Sequence, residues 1–219
     1  WVRTTPNANR VAEDGAAAIA AALTPPGRVA SLILPGDAAW DEVTAPSVPG
    51  GVARLPAAAP RKRPSQQAID AATEMLLSGR RTVIILAGQG TREAALATAG
   101  KIAAKTGTEL FMPALTPRAA NGAGRVPVTR IPYAWNLAAE TFKTVENIIL
   151  VGGKAPVGFF AYPDKPSEHY APGTRIHTLA RIDDDIPYAL EALADAVGAA
   201  RTVPQFSPLQ PPAIPQGAI

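Results

Sequence analysis

The sequence predicts an α/β domain in which a parallel sheet is flanked by helices. Between residues 63 and 200, apolar runs of strand length alternate with Ala-rich segments of helix length, a pattern typical of parallel sheets. The apolar runs are continuous and rich in β-branched residues, as expected of strands covered on both faces. Proline-rich stretches lie on both sides of this region, so we interpret it as one domain.

The first sixty residues predict one helix, one strand and a linker. A helix is expected over residues 11–23, because the segment is rich in Ala and Ile and is followed by Pro25-Pro26-Gly27. The apolar run at 29–34 predicts a buried strand that ends at Pro35-Gly36. Residues 44–62 carry so many Pro and Gly residues that we expect no regular structure there, only a linker.

The elements of the main domain follow in order from the apolar pattern. Ser65 is placed to cap a helix that reaches residue 78, with Gly79 placed to end it. Four strands are expected, at residues 82–87, 109–112, 147–151 and 175–179. The remaining helices are expected at residues 92–106, 133–142 and 186–197, residues 113–132 are expected to be loop, and residues 201–219 form a second Pro-rich linker.

Composition excludes several classes of protein. The net charge is only +3 and the basic residues are scattered, which does not predict nucleic-acid binding. The chain has no cysteine, so disulfides and thiolate sites are excluded. No apolar run approaches the roughly 20 residues of a membrane span, and no targeting segment is visible, so we expect a cytoplasmic protein. The chain opens at Trp1 and ends in Pro-rich sequence, so we expect it to be part of a longer protein.

The turn Gly88-Gln89-Gly90 is the first candidate ligand site. It follows a predicted buried strand and precedes a helix, where backbone N–H groups can bind phosphate. The third glycine of the dinucleotide fingerprint and the acidic residue after the next strand are missing. The turn therefore has two interpretations: a contact to a nucleotide, or a tight connection without a ligand.

Gly152-Gly153-Lys154 is the second candidate, at the end of the third strand of the main domain and on the same sheet edge if the strands are parallel. Lys154 is either a point charge for phosphate or a solvated loop residue. The aromatic run at residues 159–162 either packs on its own domain or forms a contact surface. The two histidines, His169 and His177, lack metal-ligand spacing, so packing or surface roles are expected. No catalytic pattern and no metal site is predicted.

Four segments, in order, resemble a known family. Residues 26–37 (PGRVASLILPGD) resemble the closing strand of the pyrimidine-binding domain of thiamine diphosphate-dependent enzymes. Residues 80–90 (RRTVIILAGQG) and 147–153 (NIILVGG) resemble strands of their central domain. Residues 157–167 (VGFFAYPDKPS) resemble a loop of acetolactate synthase large-subunit-like proteins. The resemblance covers residues 11–200, which is most of the chain.

The resemblance implies a domain organisation. Residues 1–43 are the tail of the pyrimidine-binding domain, 44–62 a linker, 63–200 a central Rossmann-like domain of the kind that binds NAD or FAD in other proteins, and 201–219 a linker toward a diphosphate-binding domain. In this family, thiamine diphosphate and Mg²⁺ are held by the other two domains, through a glutamate and a Gly-Asp-Gly…Asn motif. Neither is present here, so we expect the full-length parent to be a thiamine diphosphate-dependent lyase or transferase and this chain alone to be inactive.

Central domains of this family bind FAD, an adenine nucleotide or nothing. Members that bind FAD carry an Arg-Phe-Asp-Asp-Arg-like stretch where this chain has residues 154–157 (KAPV), which argues against FAD. The expected partners are the other domains of the parent chain and further copies in a dimer or tetramer. Two alternatives stay open: a free-standing nucleotide-binding domain, and an oligomerisation module without a ligand.

Overall fold

The computed structural model describes residues 1–57, 59–214 and 216–217 of the chain. The chain divides into two compact units, Trp1–Arg61 and Lys62–Ile219. Parts of the two predicted linkers, residue 58 and residues 215, 218 and 219, lie outside the described residues.

The first unit contains two short strands and two helices. Strand β1 (Val2–Thr4) pairs in parallel with β2 (Ser31–Ile33), and between them lies helix α1 (Val11–Leu23), which confirms the helix predicted at residues 11–23. Helix α2 (Gly36–Trp40) follows β2. The side chain of Arg3 donates to the buried carboxylate of Asp14 at 2.9 Å, and this ion pair ties β1 to α1.

A strand forms within residues 29–34, as predicted, but it is shorter than predicted and it is not buried. Only Ser31–Ile33 form the strand, and the apolar residues of the predicted run are exposed: Val29 is 83% exposed, Ile33 50% and Leu34 45%. The physical reason is that a sheet of two strands and its one adjoining long helix cannot cover both faces. The apolar run is typical of a strand covered on both faces, and the first unit does not contain the second covering layer.

The second unit contains a five-stranded sheet in which all neighbouring strands are parallel, and this confirms the predicted fold class. The sequence predicted four strands, so the count of strands was one too low. In chain order the elements are α3 (Gln66–Leu77), β3 (Thr82–Leu86), α4 (Glu93–Thr106), β4 (Glu109–Met112), β5 (Thr129–Arg130), α5 (Trp135–Phe142), β6 (Asn147–Val151), β7 (Arg175–Ala180) and α6 (Ile186–Ala196).

Two short elements lie in stretches that the sequence predicted to be irregular. Strand β5, inside the predicted loop 113–132, has only two residues, both exposed, so no apolar run marks it. It forms because its backbone pairs with β4, and the following Ile131 N–H donates to the Met112 carbonyl at 2.9 Å. The linker 44–62 contains a three-residue 3₁₀ turn at Pro49–Gly51.

The helix ends of the second unit are fixed by local caps, of which Ser65 was predicted. The Ser65 hydroxyl accepts from the Ala68 N–H at 3.3 Å and starts α3, and the Asp185 carboxylate accepts from the Tyr188 N–H at 3.1 Å at the start of α6. Gly107 ends α4 in the left-handed conformation, with φ of 75°. These caps explain why the sequence located helix ends well.

Alternate residues of the central strands build two cores on opposite faces of the sheet. Ile84 and Leu86 of β3 belong to the larger core, which α3, α4 and α6 cover. Val83 and Ile85 belong to the smaller core, which α5 covers. The sheet is therefore buried on both faces, as its continuous apolar strands predicted.

The strand order β5-β4-β3-β6-β7 contains a reversal of direction at the centre of the sheet. The chain first builds outward from β3 to β4 and β5, then returns to build β6 and β7 on the other side. Ligands of open α/β sheets bind outside the carboxyl ends of the strands at such a reversal. Here that point lies between β3 and β6. In the described part of the chain, no helix combines the length and the apolar character needed to cross a bilayer.

Candidate functional site

A cleft of about 450 Å³ lies at the carboxyl ends of β3, β4, β5 and β6, beside the reversal in strand order. Its walls come from the segments that directly follow these strands, at Ala87, 113–115, 131–133 and 152–159, together with His169. Ligand clefts in proteins typically measure roughly 300–1,000 Å³. The cleft therefore has the place and the size expected of a small-molecule site.

The predicted site residues Gly152, Gly153 and Lys154 line this cleft. Gly152 is buried with φ of 73°, and its N–H donates to the Ala180 carbonyl at 2.8 Å, which joins the end of β6 to β7. Lys154 is exposed. The structure thus brings these three residues to one cleft with the loops after β4 and β5.

The predicted residues Gly88, Gln89 and Gly90 are not among the residues that line the cleft. They form a 3₁₀ turn, Gly88–Thr91, whose Gly90 N–H donates to the Ala87 carbonyl at 2.9 Å. The Thr91 hydroxyl donates to the Gly88 and Arg118 carbonyls at 2.9 and 2.8 Å, which holds the turn against the chain after β4. Within this turn, the buried Oε1 atom of Gln89 accepts no hydrogen bond from the described residues.

The space above the glycines decides whether they fit a diphosphate group. A Cβ atom on Gly88 would lie 2.5 Å from the Ile182 side chain, and one on Gly152 would lie 2.6 Å from the Ile186 side chain. On Gly153 it would lie 3.2 Å from the Ile85 side chain. Side chains of neighbouring segments therefore approach these glycines more closely than a Cβ atom would allow, so each glycine has a packing role of its own. The nucleotide contact stays a prediction.

Three aromatic rings form a cluster at one side of the cleft, which we call the aromatic cluster: Tyr133, Phe159 and Phe160. The two Phe rings meet edge to face with centroids 4.9 Å apart, and Tyr133 lies 5.9 Å from Phe159 and 6.4 Å from Phe160. All three side chains remain more than half exposed. The rings therefore pack on one another, and they also present an apolar surface.

His169 lies at the wall of the cleft and is only 6% exposed. Its backbone N–H donates to the Pro156 carbonyl at 3.2 Å, and its ring meets the Trp135 ring edge to face with centroids 6.1 Å apart. Neither imidazole nitrogen has a hydrogen-bonding partner among the described residues. Sequence reasoning gave His169 an ordinary packing role, because a lone histidine between Glu168 and Tyr170 carries no signal of its surroundings.

Burial lowers the pKa of His169 below its usual value of about 6.5, because desolvation disfavours the charged imidazolium. The unfolded chain binds this proton more readily than the folded chain. The stabilising effect of a neutral His169 is therefore complete above about pH 6.5 and is lost as the pH falls from there through the lower pKa of the folded state.

We expect the melting temperature to fall more steeply between pH 7.5 and pH 5 in the unaltered chain than in a His169→Phe variant, because Phe has no proton to bind. Differential scanning calorimetry at both pH values measures this. Surface carboxylates contribute equally to both proteins, so the difference between the two slopes isolates His169. Equal slopes would show that the imidazole is already solvated or paired in solution.

His177 and Trp135 make hydrogen bonds that join segments of the second unit. The His177 imidazole lies 2.8 Å from the Ala68 carbonyl, a hydrogen bond that links β7 to α3. Trp135 donates from Nε1 to the Pro166 carbonyl at 3.0 Å, and the ammonium group of Lys165 lies 4.8 Å above its ring. Over the described ranges, no group of three or more His, Cys, Asp and Glu side chains is placed to hold a metal ion.

The sequence of this chain is similar to that of a curated protein. The chain is 34% identical over 217 residues to a Mycobacterium tuberculosis protein described as "Putative acetolactate synthase large subunit IlvX", a match that covers 99% of this chain and 40% of the relative. No protein-family model matches the chain. The chain thus spans about 40% of the length of the curated relative that it matches.

Solved structures match the fold of the whole chain. A Mycobacterium smegmatis structure described as a "putative thiamin diphosphate-dependent enzyme" superposes with a TM-score of 0.67 at 21% identity, over 95% of this chain and 41% of that one. A thiamine diphosphate-dependent 4-hydroxybenzoylformate decarboxylase of Rhodococcus jostii RHA1 gives the same score and identity, over 100% of this chain and 42% of that one. At this level of identity the two structures establish the fold.

Proposed function

We propose that this chain, which resembles the thiamine diphosphate-dependent enzymes over its whole length, is the central structural segment of an acetolactate synthase-like enzyme. The observation that carries the proposal is the alignment at 34% identity, which takes in 99% of this chain but only 40% of the relative. Chemistry in the parent protein would then depend on residues beyond this segment. The proposed parent reaction is the decarboxylation and carboligation of 2-oxo acids.

In the parent, thiamine diphosphate would supply the carbanion chemistry and Mg²⁺ would hold its diphosphate. The residues of this chain do not fit either group. The sequence contains no Gly-Asp-Gly triplet for the metal and diphosphate, and the described residues include no group of three or more His, Cys, Asp and Glu side chains placed to hold a metal ion. We therefore assign this chain a positioning role, in which the parallel sheet holds the neighbouring catalytic domains in place.

Exposed apolar surface in the first unit supports the proposed partners. Val29, Ile33 and Leu34 form an exposed apolar surface on strand β2 and the residues that flank it, where β2 pairs with β1. Apolar strand faces of this kind are normally covered by another layer. We propose that the rest of a pyrimidine-binding domain covers this strand in the parent, and that the parent is a cytoplasmic dimer or tetramer.

The test compares this chain with its full-length parent. Isothermal titration calorimetry with thiamine diphosphate and Mg²⁺ should detect no binding to this chain, and pyruvate should not be consumed. The parent, encoded by the flanking reading frame, should bind the cofactor and consume a 2-oxo acid. Turnover by this chain alone, or a flanking frame without the upstream glutamate and the Gly-Asp-Gly…Asn motif, would overturn the proposal.

The alternative of a free-standing nucleotide-binding domain is favoured only by the position of the glycine turns at the carboxyl edge. A visible absorption spectrum of the same purified sample tests the flavin form of this alternative, since a bound flavin colours the protein yellow. We expect no such colour, because residues 154–157 (KAPV) replace the Arg-Phe-Asp-Asp-Arg-like stretch of members that bind FAD.

A further inference from the structure

Among the described residues that line the cleft, His169 has buried polar atoms whose burial packing alone does not explain. The residue is only 6% exposed to solvent. Both of its ring nitrogens lack partners among the described residues. Leaving a buried donor or acceptor unpaired costs roughly 1–3 kcal/mol. At the wall of a ligand-sized cleft, a shift of this ring or of its neighbour would let the imidazole regain the missing hydrogen bonds from a bound molecule.

The chemistry of the imidazole limits what that partner can be. Because burial keeps His169 neutral, one ring nitrogen donates a hydrogen bond and the other accepts one. A hydroxyl group or an aromatic ring nitrogen can pair with such a group. An isolated anion is a poorer match, since a neutral imidazole brings no positive charge to the cleft.

The lining of the cleft favours a ligand that is apolar and flat. Aliphatic side chains and proline rings form much of the lining, among them Pro113, Leu115, Ile131, Pro132 and Val157. The aromatic cluster stands at one side, where its half-exposed rings can stack on another ring. Lys154 is the cationic side chain among the lining residues, and it is exposed.

We propose that this cleft binds a small planar aromatic molecule that carries a hydroxyl group or a ring nitrogen, with His169 as its hydrogen-bonding partner. The site does not depend on the proposed catalytic role of the parent. The imidazole nitrogens are covered in the structure described here, so binding shifts the His169 ring or the Trp135 ring that packs on it. Trp135 fluorescence therefore reports binding.

The first experiment uses phenol and toluene, two probes of similar size that differ in the hydroxyl group. We expect phenol to shift the ¹H–¹³C resonance of the His169 ring and to change the tryptophan fluorescence of the chain. A His169→Leu substitution should weaken phenol binding about fivefold or more, the loss expected for one hydrogen bond, and leave toluene binding nearly unchanged.

His177→Gln is the matched control, because the imidazole of His177 already has a partner in the Ala68 carbonyl. This variant should bind phenol as the unaltered chain does. A second variant guards against misfolding of His169→Leu: Val157→Trp places a large ring on a wall residue that is 56% exposed. It should fill the cleft and abolish the response to both probes.

Three outcomes would overturn the proposal. One is equal weakening of phenol and toluene by His169→Leu, which would leave His169 without a polar role. Another is phenol binding that survives Val157→Trp, which would place the site elsewhere. The third is tighter binding of adenosine monophosphate than of phenol with loss on Lys154→Gln, which would identify a nucleotide phosphate as the group recognised.

Discussion

Replacing Phe142 by Ala is expected to destabilise the second unit by about 3–5 kcal/mol, the usual range for truncating a buried Phe. Phe142 is fully buried, and its ring lies 5.3 Å from the Phe111 ring between centroids. It joins α5 to the smaller core, where that helix is the cover over Val83 and Ile148. Since domains are stable by only about 5–15 kcal/mol, this one substitution removes a large share of the total.

Urea unfolding followed by circular dichroism measures the loss. Leu137→Ala is the matched control, because Leu137 lies on the same helix but is 56% exposed. Surface truncations of this kind change stability by within about 0.5 kcal/mol. A loss below about 1 kcal/mol for Phe142→Ala would mean that the smaller core repacks around the cavity, against the usual behaviour of close-packed interiors.

Gly152→Ala is expected to cost about 2–5 kcal/mol, the second largest effect. The residue has φ of 73°, where an added Cβ is strained by roughly 1–2 kcal/mol. That Cβ would also lie 2.7 Å from the Ala87 carbonyl oxygen and 2.6 Å from the Ile186 side chain. The side chain can move, but the carbonyl belongs to the end of β3 and moves only with the sheet, so overpacking adds about 1–3 kcal/mol.

Gly107→Ala separates the two contributions. Gly107 has a similar φ of 75°, yet nothing lies within 4 Å of the position of its added Cβ. Its substitution should therefore cost only the backbone term of about 1–2 kcal/mol. Chemical denaturation of both variants gives the comparison. Equal losses would show that the contact with the Ala87 carbonyl relaxes freely.

The sequence by itself determined the class of fold and most element positions. Continuous apolar, β-branched runs at β3 and β6 favoured strands buried on both faces. Ser65 and Gly107 marked helix ends because capping is local. The family resemblance was likewise carried by contiguous motifs. Such features depend on neighbours in the chain, so they are readable without the tertiary structure.

Only the tertiary structure decided what surrounds each residue. Strand β5 has no apolar signal and exists because β4 offers it a backbone edge. The glycine turns differ, because Gly152 lines the cleft while Gly88 packs beneath Ile182 from another segment. The surroundings of His169 are formed by Trp135 and Pro156, and the sequence does not show that these residues contact it. Burial and hydrogen bonding depend on distant segments, so the sequence located Gly152, Gly153 and Lys154 at the sheet edge but not the other walls of the cleft.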